Sequence, residues 1–181
     1  MLAFGADVNA KDQAGWTALA QAVIHQENLV TKLLIEAGAD INGRDNDGEQ
    51  LLATAVAVDN IDTVKLLLNL GADVKAEDKE GWRALFHAVS SPRPEILKLL
   101  IAAGANPKIR YKDGKTPLMW ATVSGNIEGV KELLLSGVEV NAVDNEGKSA
   151  LRYAAEAKEH SKEIYTLLRD AGAIDKVTSN P

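Results

Sequence analysis

A few side chains in this sequence have the type and spacing to raise a question of chemistry. Gly114, Lys115 and Thr116 end like a phosphate-cradling loop, in which backbone amides and a lysine hold the oxygens of a nucleotide. Such a loop needs a glycine five residues before Gly114, where Ile109 stands, and it should follow a strand. Asp45, Asn46, Asp47 and Gly48 resemble the start of a calcium loop, whose oxygen donors alternate around the cation. The third donor before the glycine is missing, and Thr54 stands where a glutamate should close the site six residues after Gly48. His25, His87 and His160 are isolated imidazoles, with neither the H-E-x-x-H pairing of a zinc site nor a partner for general-base work. Ser90 and Ser91 lack the glycine context of a nucleophile elbow. The residues offer no catalytic constellation, no metal site and no cofactor site, so the chain reads as a non-enzyme.

The elements that carry these residues are set by a period. Glycines stand at Gly5, Gly38, Gly71, Gly104 and Gly137, with a second series at Gly15, Gly48, Gly81, Gly114 and Gly147, every step being 33 residues. A constant period of this length marks a stacked array in which each unit buries its apolar face against its neighbours. Each glycine of the second series is followed by an apolar triplet at i, i+3, i+4, such as Leu19, Ala22, Val23 or Leu85, Ala88, Val89. That is one face of a short helix. A second cluster precedes each glycine of the first series, as in Val64, Leu67, Leu68, and predicts a helix packed antiparallel on the first. The glycine after it stands where a helix end needs a left-handed backbone, and quartets such as Asp12 to Gly15 fit type I turns.

These residues closely resemble the ankyrin-repeat family, whose pattern is D-x-x-G-x-T-P-L-H-x-A-A-x-x-G-H, an apolar helix, then L-L-x-x-G-A-D-V-N. Asp113-Gly114-Lys115-Thr116-Pro117-Leu118, with Gly125-Asn126 and Leu133-Leu134, come nearest to it. The resemblance implies an all-α solenoid of helix-turn-helix units with β-hairpin or turn tips and a concave face. Residues 1–11 are expected to be the tail of an incomplete repeat, followed by repeats at 12–44, 45–77, 78–110, 111–143 and 144–176, and a disordered tail at 177–181. Gly147 and Gly172 lie 25 apart where Gly15 and Gly38 lie 23 apart, a two-residue insertion that suits a C-terminal cap.

Local departures from the pattern carry expectations of their own. Thr116 is placed to cap a helix with Pro117 at its first position, and Thr17 and Ser149 can cap in the same way. Gln50 and Arg83 occupy the same position and lack the short capping oxygen, which predicts frayed helix starts. Ser90 to Pro94, SSPRP, replaces the usual glycine-containing link and predicts a stiffer, differently shaped loop with Pro94 opening the second helix. Leu2, Ala3 and Phe4 read as the end of a helix whose beginning is absent, which would leave Leu19 and Ala22 poorly covered.

Composition narrows the class further. The net charge of −6 argues against a nucleic-acid binder, because phosphate contacts need clustered Lys and Arg. No cysteine is present, which excludes disulfides and thiolate chemistry and suits a reducing compartment. No run of 18 apolar residues predicts a membrane span, and the expected location is cytoplasmic.

The resemblance implies binding of a protein partner through turn tips and first helices. By position the candidates are Trp16, Gln21, Glu49, Trp82, His87, Tyr111, Lys112, Lys115, Trp120 and Tyr153. Trp16 and Trp82 directly follow a turn glycine two units apart and are expected to be exposed, whereas Trp120 and Phe86 can serve packing between units. Aromatic residues dominate interface hot spots. Charge gives the strip a polarity, with Asp40, Asp45, Asp47 and Glu49 against Arg44 at one turn and Lys108, Arg110, Lys112 and Lys115 against Asp113 at another. Two alternatives stand beside this reading. One is a fragment of a longer array that self-associates through its N-terminal end; the other is a small anionic ligand held by Lys108, Arg110, Lys112 and Tyr111.

Overall fold

The computed structural model describes residues 5–79, 81–91, 93–157 and 161–175. Within them ten helices follow in pairs: α1 (Ala18–Ile24) with α2 (Asn28–Glu36), α3 (Leu51–Ala57) with α4 (Ile61–Asn69), α5 (Ala84–Ser90) with α6 (Pro94–Ala102), α7 (Pro117–Val123) with α8 (Ile127–Leu135), and α9 (Ala150–Glu156) with α10 (Lys162–Asp170). The odd-numbered helices pack on one another in a row, and the even-numbered helices form a second row behind them. The fold is an all-α solenoid.

Leu19, Leu52, Leu85, Leu118 and Leu151 recur at one position of the odd helices, and each is no more than 1% exposed. Burying one such side chain contributes roughly 2 kcal/mol, so a single repeated leucine accounts for much of the stacking. On the even helices Leu67, Leu100, Leu133 and Leu168 are fully buried in the same way.

Helix starts follow the sequence closely. The side chains of Thr17, Thr116 and Ser149 accept the amides of Ala20, Met119 and Arg152, while Gln50 and Arg83 make no capping bond. Helix ends are Schellman-like. After α2 the Ala39 amide reaches back 3.0 Å to the Leu34 carbonyl, with Gly38 at φ 89°, a conformation that penalises any residue with a Cβ. At Gly15 a Cβ would also lie 2.4 Å from the Asn46 side chain, so the next turn presses directly on this one.

The link between α5 and α6 has the changed shape expected of it. His25, Val58 and Ser124 end their helices with ψ near 0°, whereas Ser91 turns to ψ 139°, because the residue before a proline is driven out of the helical region. Pro94 opens α6.

Turn tips are joined side by side. The Asn9 side chain accepts the Asp40 amide at 2.8 Å, Asn42 accepts that of Asp73 at 3.0 Å, and Asn141 accepts that of Ile174 at 2.9 Å. Lys75 and Lys108 occupy the equivalent positions in the two turns between and cannot accept.

The tips are turns that carry, among the described residues, isolated antiparallel bridges between Lys11 and Thr17, Arg44 and Gln50, and Val143 and Ser149, since each turn is followed at once by a helix. One expectation needs correction. Leu19 and Ala22 are buried, at 0% and 6% exposure, because α2 and α3 cover them. The exposed apolar residues at this end are instead Leu29, Val30 and Leu33 of α2, at 70%, 43% and 53%. Leu2 to Phe4, Pro92, His160 and the 177–181 tail lie outside the described residues.

Candidate functional site

The turns and odd-numbered helices form one face, and a repeated hydrogen-bond device builds it. An aspartate opens each of four turns, and its Oδ1 accepts amides further along: Ala14 and Trp16 on Asp12, Asp47 and Glu49 on Asp45, Trp82 on Asp78, and Glu146 and Lys148 on Asp144, at 2.8–2.9 Å. These bonds fix the backbone of the residue after the turn glycine, which places Trp16, Glu49, Trp82 and Lys148 at equivalent points; Lys115 holds the same place in the turn that Tyr111 opens, its amide bonded to Asp113 Oδ1 at 2.9 Å. The second oxygen can take a donor nine residues on. Gln21 Nε2 lies 3.4 Å from Asp12 Oδ2, and the Tyr153 hydroxyl donates to Asp144 Oδ2.

This pairing shapes the titration of its members. Burial and the Asp144 carboxylate push the Tyr153 hydroxyl up to about 12. Burial acts to raise the Asp144 carboxyl, but hydrogen bonds from Tyr153 and from the Lys148 and Glu146 amides outweigh it and hold the group below its ordinary value.

The aromatic residues do not form an evenly spaced exposed strip. Trp16 is half-buried against the core, with no aromatic ring near it among the described residues. Trp82 lies half-buried in a cluster, its ring centroid 4.1 Å from Phe86, 4.9 Å from Tyr111 and 5.9 Å from Trp120, with Phe86 and Trp120 5.2 Å apart in edge-to-face geometry. Such contacts add about 0.5–1.5 kcal/mol per pair beyond the area buried. The expectation that Trp82 is exposed is therefore corrected, since the neighbouring unit supplies Tyr111 and Trp120 to cover it. Tyr111 is only 6% exposed and is not presented at the turn tip. Its bulk replaces an aspartate and turns into the cluster, and burial raises its hydroxyl pKa. His87 packs edge-on to Phe86 at 5.5 Å, and burial lowers its pKa against the opposing charge of Asp78.

The charge polarity is one-sided. At the basic end Lys115 pairs with Asp113 at 2.8 Å and lies 5.3 Å from the Trp120 ring centre and 5.7 Å from that of Tyr153. Arg110 donates to the carbonyls of Gly114 and Val143 and faces Glu139 at 3.7 Å; Lys148 pairs with Glu156 at 3.2 Å. Lys112 is exposed, and its carbonyl accepts from Asn145. Of the four residues expected to hold an anion, Arg110 is engaged and Tyr111 is buried, while Lys108 and Lys112 are exposed.

At the acidic end Glu49 is half-buried, and no cation pairs with it among the described residues. Burial, followed by the charges of Asp45, Asp78 and Asp47, raises its pKa against a hydrogen bond from Thr54. Glu49 is the wall between two shallow clefts. One, of about 280 Å³, is lined in part by Glu49, Gln50, Asp78, Trp82 and Arg83; the other, of about 270 Å³, by Trp16, Thr17, Arg44, Asp45 and Glu49. These volumes include open solvent, and the enclosed room in each is about that of one water molecule, so a side-chain tip would lie across the mouth of a cleft and not fill it. The sequence reading named Glu49 and both tryptophans but missed Gln50 and the ring cluster. The spacing of nine between each turn aspartate and a donor was the one available signal, visible in Asp12 with Gln21 and Asp144 with Tyr153.

Among the described residues no group of three or more His, Asp or Glu could hold a metal ion, and no helix is long and apolar enough to cross a membrane. No curated protein matches the chain. A family model described as ankyrin repeats, in three copies, matches residues 1–78 and 85–180. With the paired helices, glycine-ended turns and stacked rows on which that match falls, the chain belongs to the ankyrin-repeat family.

Proposed function

We propose that the chain is a non-catalytic module that binds a protein partner through its turn tips and odd-numbered helices. The contrast between its two sides carries this reading. The face of the odd helices holds Trp16, Trp82, Trp120 and Tyr153 half-buried, whereas α4, α6, α8 and α10 show exposed Asp62, Glu95, Glu128 and Glu163 to solvent. Half-buried aromatic rings beside charged groups are the composition of interface centres. The units proposed to build the face are those at 12–44, 45–77, 78–110, 111–143 and 144–176.

Affinity capture from the native host tests the reading. The double variant Trp16→Ala/Lys115→Ala should lose the captured partner, and Asp62→Lys/Glu95→Lys should keep it. Loss in the second variant alone would move the binding surface to the even helices.

One observation favours self-association as a second reading. Leu29 stands where Asp62, Glu95, Glu128 and Glu163 stand in the other pairs, and with Val30 and Leu33 it forms an exposed apolar patch. Sedimentation equilibrium should then show a concentration-dependent dimer that Leu29→Glu abolishes; a monomer at high concentration would remove this reading.

A further inference from the structure

The two poles of the binding face differ in what they leave unsatisfied. At the basic turn Arg110 and Lys115 have internal partners. The acidic pole has Glu49 half-buried beside Asp45, Asp47 and Asp78, and the nearby cations are committed elsewhere. Arg83 pairs with Glu77, and Arg44 Nη1 donates at 2.6 Å to the carbonyls of Gly48 and Glu77. A second and independent gap lies next to it. Gln50 is 7% exposed and lines the Trp82 cleft, yet its side-chain amide has no hydrogen-bond partner among the described residues. Its amide atoms are not sealed from solvent; they face the open cleft beside an indole and a carboxylate that no described cation pairs with.

The missing group is a flat cation rich in donors. Guanidinium presents five N–H groups in a plane, pairs with a carboxylate through two parallel bonds and lays its face on an aromatic ring. An ammonium satisfies the charge but not the plane. Carboxylates of Glu49 and Asp78 line the cleft, but no group of three or more His, Asp or Glu among the described residues could hold a metal ion. We propose that Glu49 receives an arginine side chain from a basic segment of the protein partner, its guanidinium bonded to the Glu49 carboxylate and the Gln50 side-chain oxygen and flanked by Trp82. The inference rests on the odd-helix face being the binding surface. Trp16, on the other side of Glu49, flanks the second cleft and serves the residue next to that arginine.

Hexa-arginine amide titrated into the whole chain at low ionic strength, followed by tryptophan fluorescence, tests the site without a known partner. Glu49→Gln should weaken binding at least tenfold. Glu95→Gln, the same charge change on the exposed face of α6, should weaken it less than twofold, and hexa-lysine should bind several-fold more weakly than hexa-arginine. Equal losses in the two glutamate variants would reduce the effect to long-range attraction by an acidic chain and overturn the proposal, as would absence of binding to the wild type. Glu49→Gln relieves repulsion among carboxylates, so its fold is retained, which far-UV circular dichroism verifies. If hexa-arginine ignores Glu49 while Trp16→Ala/Lys115→Ala still loses the captured partner, only the arginine assignment falls. If capture ignores that double variant, the binding face itself falls.

Discussion

Tyr111 and Trp120 stand nine residues apart, the spacing at which Asp12 meets Gln21 and Asp144 meets Tyr153. Neither the Tyr111 hydroxyl nor the Trp120 indole nitrogen has a hydrogen-bond partner among the described residues, although both atoms are buried. The turn still closes, with the Gly114 amide 2.8 Å from the Tyr111 carbonyl. Ring packing against Trp82 and Phe86 has replaced the carboxylate pairing of the other turns.

Tyr111→Phe should therefore leave stability unchanged or raise it by up to about 1 kcal/mol, because it removes a buried polar group that bonds to nothing. Urea denaturation followed by far-UV circular dichroism measures this. A loss above about 1 kcal/mol would show that the hydroxyl does have a partner in solution.

The two tryptophans after the turn glycines should behave differently. Trp82→Ala should destabilise by about 2–3 kcal/mol, since it opens a cluster of four rings, whereas Trp16→Ala, with no ring partner among the described residues, should cost about 1 kcal/mol. Their matching places after a turn glycine predict equal exposure, and equal denaturation midpoints would restore that expectation.

Glu49 sets a pH dependence whose sign can be worked out. In the folded chain its carboxyl keeps its proton to a higher pH than the ordinary 4.5. Between those two values the folded state holds more protons than the unfolded state. Its contribution to stability thus falls as pH rises through that window and stays low above it. Glu49→Gln should raise the thermal midpoint at pH 7, and the gain should shrink as the pH is lowered toward 4.5. A gain that widens on acidification would contradict the assignment.

Thr31 is fully buried on α2, its hydroxyl without a partner among the described residues, at the position where α4 and α8 carry Val64 and Val130. Thr31→Val keeps the shape and removes the unpaired group. It should stabilise the chain by about 1 kcal/mol, and a destabilised variant in thermal denaturation would show that the hydroxyl is bonded.

What could be read from the sequence was local. Thr17, Thr116 and Ser149 cap because a capping bond joins residues three apart, and Ser91 bends because its neighbour is proline. The fate of Trp82 was not readable in that way. Its cover comes from Tyr111, 29 positions on, and equivalence to Trp16 within the repeat suggested a shared role that the neighbours then divided. Charge was legible as a count but not as a balance, because counting cannot show that Lys115 already has Asp113 while Glu49 has no cation.

The missing rungs at Lys75 and Lys108 have a thermal consequence. At the outer turns neighbouring tips are joined by amide bonds from Asn9, Asn42 and Asn141, whereas the tips that carry Lys75 and Lys108 meet through the rings of Trp82, Phe86, Tyr111 and Trp120, with Asn126 bonded to the Val89 and Ser91 carbonyls behind them. Apolar contact weakens on cooling, and amide bonding does not share that dependence. The contact between these two tips should consequently loosen on cooling and tighten on warming, while the tips joined by asparagine hold their spacing.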